Sequence, residues 1–264
     1  MYPPQTSVRS TVAALGAGLL ALGSTVSMAD CDARSGTRTA ALVELYTSEG
    51  CSSCPPAEQQ LGRLAQVLDA GADAVPLALH VGYWDELGWK DAYAQPAFGE
   101  RQQWLVAANR QKTVYTPQFF VAGSAVRDWP DGLRDQVQEI NARPATARIR
   151  VQAKAQDDAV LSLQIEAATV AGASSAALYL ALAESGLVAT VARGENGGRT
   201  LAHEHVVRAW IGPLAVTDDG LSLRRALPLA ADWNRARLEV IAFIQDTNNG
   251  RVLQALGAQQ CAAS

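Results

Sequence analysis

The sequence has no cluster of basic residues. Its 264 residues include 22 Lys or Arg and 26 Asp or Glu, which gives a formal net charge of −4. A protein that binds a nucleic-acid backbone needs several Lys or Arg on one surface to neutralise phosphates. Because the basic residues here are scattered, we exclude nucleic acid as a partner and expect no basic membrane-binding patch.

Long apolar runs are absent after the N-terminus. Residues 12–26 are apolar, but this run is shorter than the roughly 20 residues that cross a bilayer. Arg9 precedes the run, and Ser27-Met28-Ala29 follows it as a small-x-small cleavage pattern. We therefore predict that residues 1–29 are a signal peptide, that the protein is exported to the periplasm or the medium, and that no membrane span remains after cleavage.

Several motifs of catalysis and cofactor binding are also missing. The sequence contains no G-x-S-x-G nucleophile elbow and no glycine-rich phosphate loop before a helix, since GENGGR at 194–199 lies between predicted strands. It contains no internal repeat and no low-complexity segment. We predict no cofactor.

The chain has only 4 cysteines, and all of them follow the predicted cleavage site. An even number in an oxidising compartment indicates two disulfides. Of the three possible pairings, the simplest joins Cys51 to Cys54 and Cys31 to Cys261. The second bridge would tie the two ends of the mature chain together, so we predict a structural role for it.

Cys51 and Cys54 form a C-x-x-C motif between a predicted strand at 40–47 and a predicted helix at 57–68. At such a turn, backbone N–H groups and the helix dipole favour a thiolate over a thiol. Pro55 weakens this expectation, because a residue that precedes proline is disfavoured in the helical region. The helix would then begin near Pro56, and its N–H groups would lie closer to Cys54 than to Cys51.

The order of predicted elements changes near Pro144. Before it, strands and helices alternate in the order β-α-β-α-β-β-α of the thioredoxin fold, with strands at 40–47 and 74–84, helices at 57–68, 98–111 and 133–143, and a hairpin around Gly123-Ser124. After it, seven short alternating strands are separated by turn residues, which is typical of a β-sandwich. We predict an α/β thioredoxin-like domain at 30–145, followed by an all-β, β-sandwich-like domain at 146–264.

Four segments of the chain are distinctive: ELYTSEGCSSCPPAE, HVGYWDELGWKDAYAQPAFGERQ, VYTPQFFV and GENGGRTLAHEHVVRAW. They resemble the DUF1223 family of exported bacterial proteins. The resemblance covers most of the mature chain, and the first two segments are the most specific. It implies a thioredoxin-like domain followed by a β-rich one, in a family without an established activity.

Resemblance to thioredoxin-like oxidoreductases suggests roles for five residues. Cys51 would be the exposed nucleophile, and Cys54 would resolve the mixed disulfide. Thr116-Pro117 would be a cis-proline turn that faces the dithiol and pairs with an extended peptide. Glu44 would be a buried acid that takes a proton from Cys54, the alternative being a strand residue that points to solvent.

Three further candidates lie in or directly after the second predicted strand, at 74–84. His80 lies near the end of this strand and is our candidate for tuning Cys51 electrostatically. Trp84 is the last residue of the strand, and Asp85 follows in the loop. The aromatic residues of that loop would either line a groove for an apolar or unfolded peptide or pack in the core.

A metal site is an alternative to redox chemistry. His203 and His205 are two apart on a predicted strand and would share a face. Together with His80 and the cysteines they could hold Cu(I) or Zn²⁺, although the spacing is not a recognised ligand set. We therefore predict no metal.

We predict thiol–disulfide exchange with a protein or peptide partner, the other alternative being a non-catalytic binding module whose disulfides are all structural.

Overall fold

The computed structural model describes Met1 and residues 31–157, 159–170, 175–258 and 261. The predicted signal peptide is residues 1–29, of which residues 2–29 lie outside the described residues. Over the described ranges more residues lie in β-strands than in helices. None of the described helices combines the length and the apolar character that a bilayer crossing requires.

The order of elements in the first half agrees with the prediction, except for an additional first strand and a first helix that is split in two. It runs β1 (Cys31–Arg34), β2 (Ala41–Thr47), α1 (Pro55–Gly62), α2 (Leu64–Val67), β3 (Ala74–His80), a 3₁₀ helix (Gly82–Leu87), α3 (Pro96–Ala108), β4 (Gln118–Val121), β5 (Ser124–Val126) and α4 (Trp129–Asn141). The predicted helix at 57–68 is broken at Arg63, whose ψ of 12° departs from helical geometry. The second predicted strand ends at His80, because the 3₁₀ helix follows it.

The second half contains all seven predicted strands and two more. It runs β6 (Ala147–Asp157), β7 (Val160–Thr169), β8 (Ala176–Glu184), β9 (Leu187–Thr190), β10 (Thr200–His203), β11 (Val206–Ala215), β12 (Leu221–Pro228), a 3₁₀ turn (Arg235–Arg237), β13 (Leu238–Asp246) and β14 (Val252–Ala258). The short strands β9 and β10 pair with each other and enclose a loop.

One large mixed sheet contains strands from both halves. Its order is β14-β13-β8-β11-β3-β2-β4-β5. Strands β2 and β3 are parallel, and β11 joins β3 in parallel through Val206 and Ala78. Four strands that follow residue 146 therefore extend the sheet that leads into the cysteine turn.

A second sheet of four strands, in the order β1-β6-β7-β12, packs on one face of the large sheet. Strand β8 separates two apolar cores, because successive side chains of a strand point to opposite faces. Tyr179 and Ala181 lie in the core below α3, whereas Leu178 and Leu180 face the second sheet. Being covered on both faces, β8 is buried along its whole length.

The Cys31–Cys261 disulfide joins β1 to the C-terminal end of the described chain. It links residues 230 positions apart. The structure therefore contains both disulfides of the simplest predicted pairing.

Candidate functional site

The cysteine turn connects β2 to α1. Cys51 and Cys54 are joined by a disulfide, with their Cα atoms 5.4 Å apart. The Cys54 carbonyl accepts hydrogen bonds from the N–H groups of Ala57 and Glu58 at 2.9 and 3.1 Å. These bonds hold Cys54 in helical geometry, with φ −76° and ψ −36°. The expectation that Pro55 would exclude Cys54 from the helical region is therefore wrong, and the helix begins at Pro55.

Both cysteines of the turn are buried. Cys51 and Cys54 each have 0% relative exposure, whereas Ser52 and Ser53 between them are exposed. The Cys51 sulfur lies 3.4 Å from the Ser53 hydroxyl oxygen. The exposure that we expected for the nucleophile Cys51 is thus not observed in the disulfide form.

A loop from the second half covers the turn. This cap loop, residues 191–199, connects β9 to β10. The buried Asn196 amide donates hydrogen bonds to the carbonyls of Glu49 and Cys51, both at 2.9 Å. Ser52 donates through its backbone N–H and its hydroxyl to Glu195, at 3.0 and 2.7 Å, and these two bonds lower the pKa of the Glu195 carboxyl.

Sequence reasoning missed this contact because it treated GENGGR as a turn between strands. The glycines indicated backbone freedom but not a partner, which lies about 145 residues away in the sequence. The one useful indication was that these residues belong to a segment that resembles the same family as the cysteine turn.

The Thr116-Pro117 peptide bond is cis, as predicted. The Trp84 indole N–H donates to the Thr116 hydroxyl at 2.7 Å. Trp84 also packs against the cysteine turn, since a Cβ placed on Gly50 would lie 3.3 Å from the Trp84 Cβ. Trp84 therefore connects the proline turn to the residues just before Cys51.

Glu44 is fully buried, so the solvent-facing alternative is wrong. Its carboxylate forms an ion pair with Arg101, in which Nε and Nη2 donate at 2.6 and 3.1 Å. The Tyr46 hydroxyl also donates to it, at 3.2 Å. Burial would lower the pKa of Arg101, but the Glu44 charge outweighs it and the net shift is upward. The carboxylate is thus engaged by Arg101 and Tyr46, and the role of proton acceptor from Cys54 stays a prediction.

Arg101 lies at the junction of the two halves. Its Nη2 also donates to Gln245 of β13 at 2.9 Å. Its guanidinium carbon lies 4.9 Å from the ring centroid of Tyr179 and 5.0 Å from that of Phe243. The Glu44 ion pair therefore joins β2 and α3 to strands of the second half.

Behind the cysteine turn lies a buried polar cluster, which we define as Glu49, Glu58, His80, Asp91 and His203. All five residues are buried, and the most exposed of them, Glu58, is 7% exposed. The imidazole Nδ1 of His80 lies 2.7 Å from Asp91 Oδ2, and the Glu49 N–H donates to the same oxygen at 2.9 Å. Burial raises the pKa of Asp91, but the nearby His80 outweighs it and the net shift is downward.

Two other residues connect this cluster to its surroundings. Asp85, in the 3₁₀ helix, accepts a hydrogen bond from the Asp91 N–H at 3.1 Å. The half-buried Tyr93 ring contacts both imidazoles, with centroid distances of 5.4 Å to His80 and 5.7 Å to His203. Asp85 therefore supports a cluster residue rather than the disulfide itself.

His203 lies between two carboxylates. Its Nδ1 is 2.7 Å from Glu58 Oε2, and its Nε2 is 3.4 Å from Glu49 Oε1. The Thr47 hydroxyl donates to Glu58 at 2.5 Å. Burial disfavours the charged imidazole, but the nearby Glu49 and Glu58 carboxylates prevail and raise the pKa of His203 to about 9. The pKa of Glu58 is lowered despite its burial, chiefly by the hydrogen bond with His203.

His205 does not share a face with His203. Strand β10 ends at His203 and β11 begins at Val206, so His205 lies between two strands, with a φ of 57°. Its Nδ1 lies 3.8 Å from Glu239, away from the cluster. The predicted pairing of His203 and His205 is therefore wrong, because it assumed one continuous strand through both residues.

The sequence analysis named His80 and His203 but missed their carboxylate partners. Glu49, Glu58 and Asp91 are common residue types on a turn, a helix and a loop, and no spacing distinguishes them from surface acids. They are recognisable only once the fold brings them together.

A family described as "Protein of unknown function (DUF1223)" matches residues 42–245. The chain belongs to this family. The match includes the cysteine turn, the cap loop and the buried polar cluster of this DUF1223 protein. A comparison with curated proteins finds no match.

Two solved structures resemble the fold. A protein of Agrobacterium tumefaciens solved by X-ray crystallography is 24% identical, with a TM-score of 0.61 over 84% of this chain and 94% of that one. HBP35 of Porphyromonas gingivalis is 15% identical, with a TM-score of 0.65 over 85% of this chain and 76% of that one. At these identities the likeness concerns the fold alone.

Proposed function

We propose that this DUF1223 protein is exported and exchanges disulfides with a protein partner through Cys51 and Cys54. The proposal includes a thioredoxin-like arrangement of β2, α1, β3, α3, β4 and β5, whose sheet the second half extends. The observation that carries it is a disulfide between residues only 3 apart, placed where a buried strand meets the start of a helix. Two disulfides in one chain also favour an oxidising compartment.

The exchange balances as a two-electron transfer. In the reducing direction, the Cys51 thiolate attacks one sulfur of a partner disulfide, and the other partner sulfur leaves as a thiolate that takes up a proton. The Cys54 thiol then loses a proton and displaces the partner from Cys51. The partner leaves as a dithiol, and the Cys51–Cys54 disulfide remains. The reverse sequence oxidises a partner dithiol.

Access to Cys51 requires the cap loop to move. Asn196 is bonded to the Cys51 carbonyl, and Glu195 is bonded to Ser52. A partner sulfur must approach a cysteine that has 0% exposure while these contacts are formed. Opening of the loop would therefore precede exchange.

Complete burial favours a second candidate, a binding module in which the Cys51–Cys54 bond is purely structural. Structural disulfides resist reduction to potentials below about −300 mV, whereas exchange proteins lie between about −120 and −270 mV. The two functions therefore differ in a measurable potential.

A redox titration of the purified mature protein, with mass spectrometry after alkylation, decides between them. We expect Cys51 and Cys54 to equilibrate between about −120 and −270 mV. The Cys31–Cys261 bond is the internal control and should stay oxidised through that range. A Cys51–Cys54 bond that remains oxidised below about −300 mV refutes the exchange function.

A second experiment tests the cap loop. We expect Asn196→Ala and Glu195→Ala to increase the rate at which a small thiol reduces the Cys51–Cys54 bond. Arg193→Ala, an exposed residue of the same loop, is the matched control and should leave that rate unchanged. Equal rates in all variants would show that the loop does not limit access.

A further inference from the structure

The buried polar cluster contains side-chain atoms without a hydrogen-bond partner. Among the described residues, the buried atoms of this kind are Glu49 Oε1, His80 Nε2, His203 Nε2 and His205 Nδ1. Three of these four atoms belong to the cluster, but Glu49 Oε1 and His203 Nε2 lie 3.4 Å apart as an ion pair. Since most buried polar atoms in proteins are bonded, His80 Nε2 is the cluster atom whose partner is missing.

Both imidazoles of the cluster are held in the same way. Nδ1 of His80 lies 2.7 Å from Asp91, and Nδ1 of His203 lies 2.7 Å from Glu58. In each ring this leaves Nε2 as the nitrogen without a hydrogen bond. Histidines that bind metals typically use one ring nitrogen for the metal and the other for a carboxylate, which orients the ring.

The donor atoms lie close enough to share one ion. One ligand atom from each of Glu58, His80 and His203 can be chosen so that all three lie within 4.8 Å of one another. Nε2 of His203 is also 3.4 Å from Glu49 Oε1. Two ligands of a tetrahedral zinc ion, each at about 2.0–2.2 Å from the metal, are separated by about 3.3–3.5 Å.

The charges of the cluster favour a cation. Glu49, Glu58 and Asp91 bring three carboxylates into the interior, opposite two imidazoles. A divalent ion held by two neutral imidazoles would offset two of these three negative charges, and it would replace the two protons that the rings carry without the ion.

We propose that the cluster is a binding site for a divalent cation of the zinc class, held by His80, His203 and a carboxylate of Glu49 or Glu58. The cysteines take no part, because both are in the disulfide. This site keeps His80 and His203 of the predicted alternative set and has carboxylates in place of His205 and the thiolates. It does not depend on the proposed exchange function.

Zinc chloride titrated into the metal-free, oxidised mature protein tests the site by calorimetry. We expect saturable binding of one ion per chain. His80→Gln and His203→Gln should weaken it at least 100-fold, and Asp91→Asn, which changes only the residue that orients His80, should weaken it about 10- to 100-fold. His205→Gln is the matched control and should bind zinc as the unchanged protein does.

A spectroscopic measurement covers the case in which a cluster variant fails to fold. Co²⁺ bound to the unchanged protein should show visible bands of a nitrogen and oxygen site, without thiolate-to-cobalt charge transfer. Absence of saturable binding, a thiolate band, or an equal loss of affinity in His205→Gln each overturns the proposal.

Discussion

Replacing Glu44 by Gln tests the largest difference between the predicted and the observed site. The substitution keeps the shape of the side chain and removes the charge that faces Arg101. Both side chains are almost inaccessible, at 0% exposure for Glu44 and 5% for Arg101. The Arg101 guanidinium would then be a buried cation without a counter-ion.

The expected cost follows from this burial. Removing one partner of a buried ion pair typically costs about 3–5 kcal/mol, most of it from the unpaired charge that is left. Two neutral acceptors, Gln245 and the amide oxygen of the introduced glutamine, would still bond the guanidinium. We therefore expect the free energy of unfolding to fall by about 3 kcal/mol, the lower end of this range.

A second substitution separates the energetic cost of the unpaired charge from the cost of altered packing. Four rings surround the Arg101 guanidinium, and their centroids lie between 4.9 and 5.7 Å from it. Methionine would pack well against such rings. Adding Arg101→Met to Glu44→Gln should therefore recover most of the stability, because a buried ion pair can often be replaced by apolar groups at little cost.

Urea unfolding at constant pH, with both disulfides intact, measures these free energies in the single and double variants. The same variants also test the predicted proton-acceptor role. Because the Glu44 carboxylate is bound to Arg101, we expect the pH dependence of Cys54 alkylation in the reduced protein to be unchanged in Glu44→Gln. A cost below about 1 kcal/mol, or a shifted alkylation profile, would refute this reasoning.

Three further predictions concern stability. His203 has a pKa of about 9 in the folded protein, against a reference value of 6.5. Its contribution of about 3 kcal/mol to the free energy of unfolding is therefore complete below pH 6.5 and is lost as the pH rises to 9. Unfolding of the metal-free protein at several pH values should show this slope, and His203→Gln should lack it. Replacing Cys31 and Cys261 by serine opens a link between residues 230 apart and should cost on the order of 5 kcal/mol in thermal or urea unfolding. Gly123→Ala should destabilise by more than about 2 kcal/mol, because φ is +85° and the new Cβ would collide with the Gly250 carbonyl oxygen.

Each of these predictions has a contrary outcome. A pH slope that persists in His203→Gln would assign it to another group. A serine pair with unchanged stability would mean that the strand pairing of β1 with β6 suffices without the disulfide. A stable Gly123→Ala protein would show that the neighbouring loop moves aside at little cost.

Local patterns were enough to locate most strands and helices. The predicted strand at 40–47 and the predicted helix at 98–111 correspond to β2 and α3 with small shifts at their ends. Residue spacing also identified the C-x-x-C turn and its disulfide. These features depend on neighbours within a few positions, which is the range over which hydrophobic periodicity and turn residues act.

The site itself depends on contacts that are distant in sequence. Strand β8 is apolar from Ala176 to Ala183 and so shows no alternation that would reveal its two buried faces. Nothing in the pattern of β11 indicates that it pairs with β3, and this pairing is what carries the preceding cap loop and His203 to the cysteine turn. Periodicity predicts that a side chain is buried but not which partner it meets. The roles of Glu44, Asn196 and His203 are therefore set by strand pairing and packing, since a buried charge or amide must find its partner wherever the fold places one.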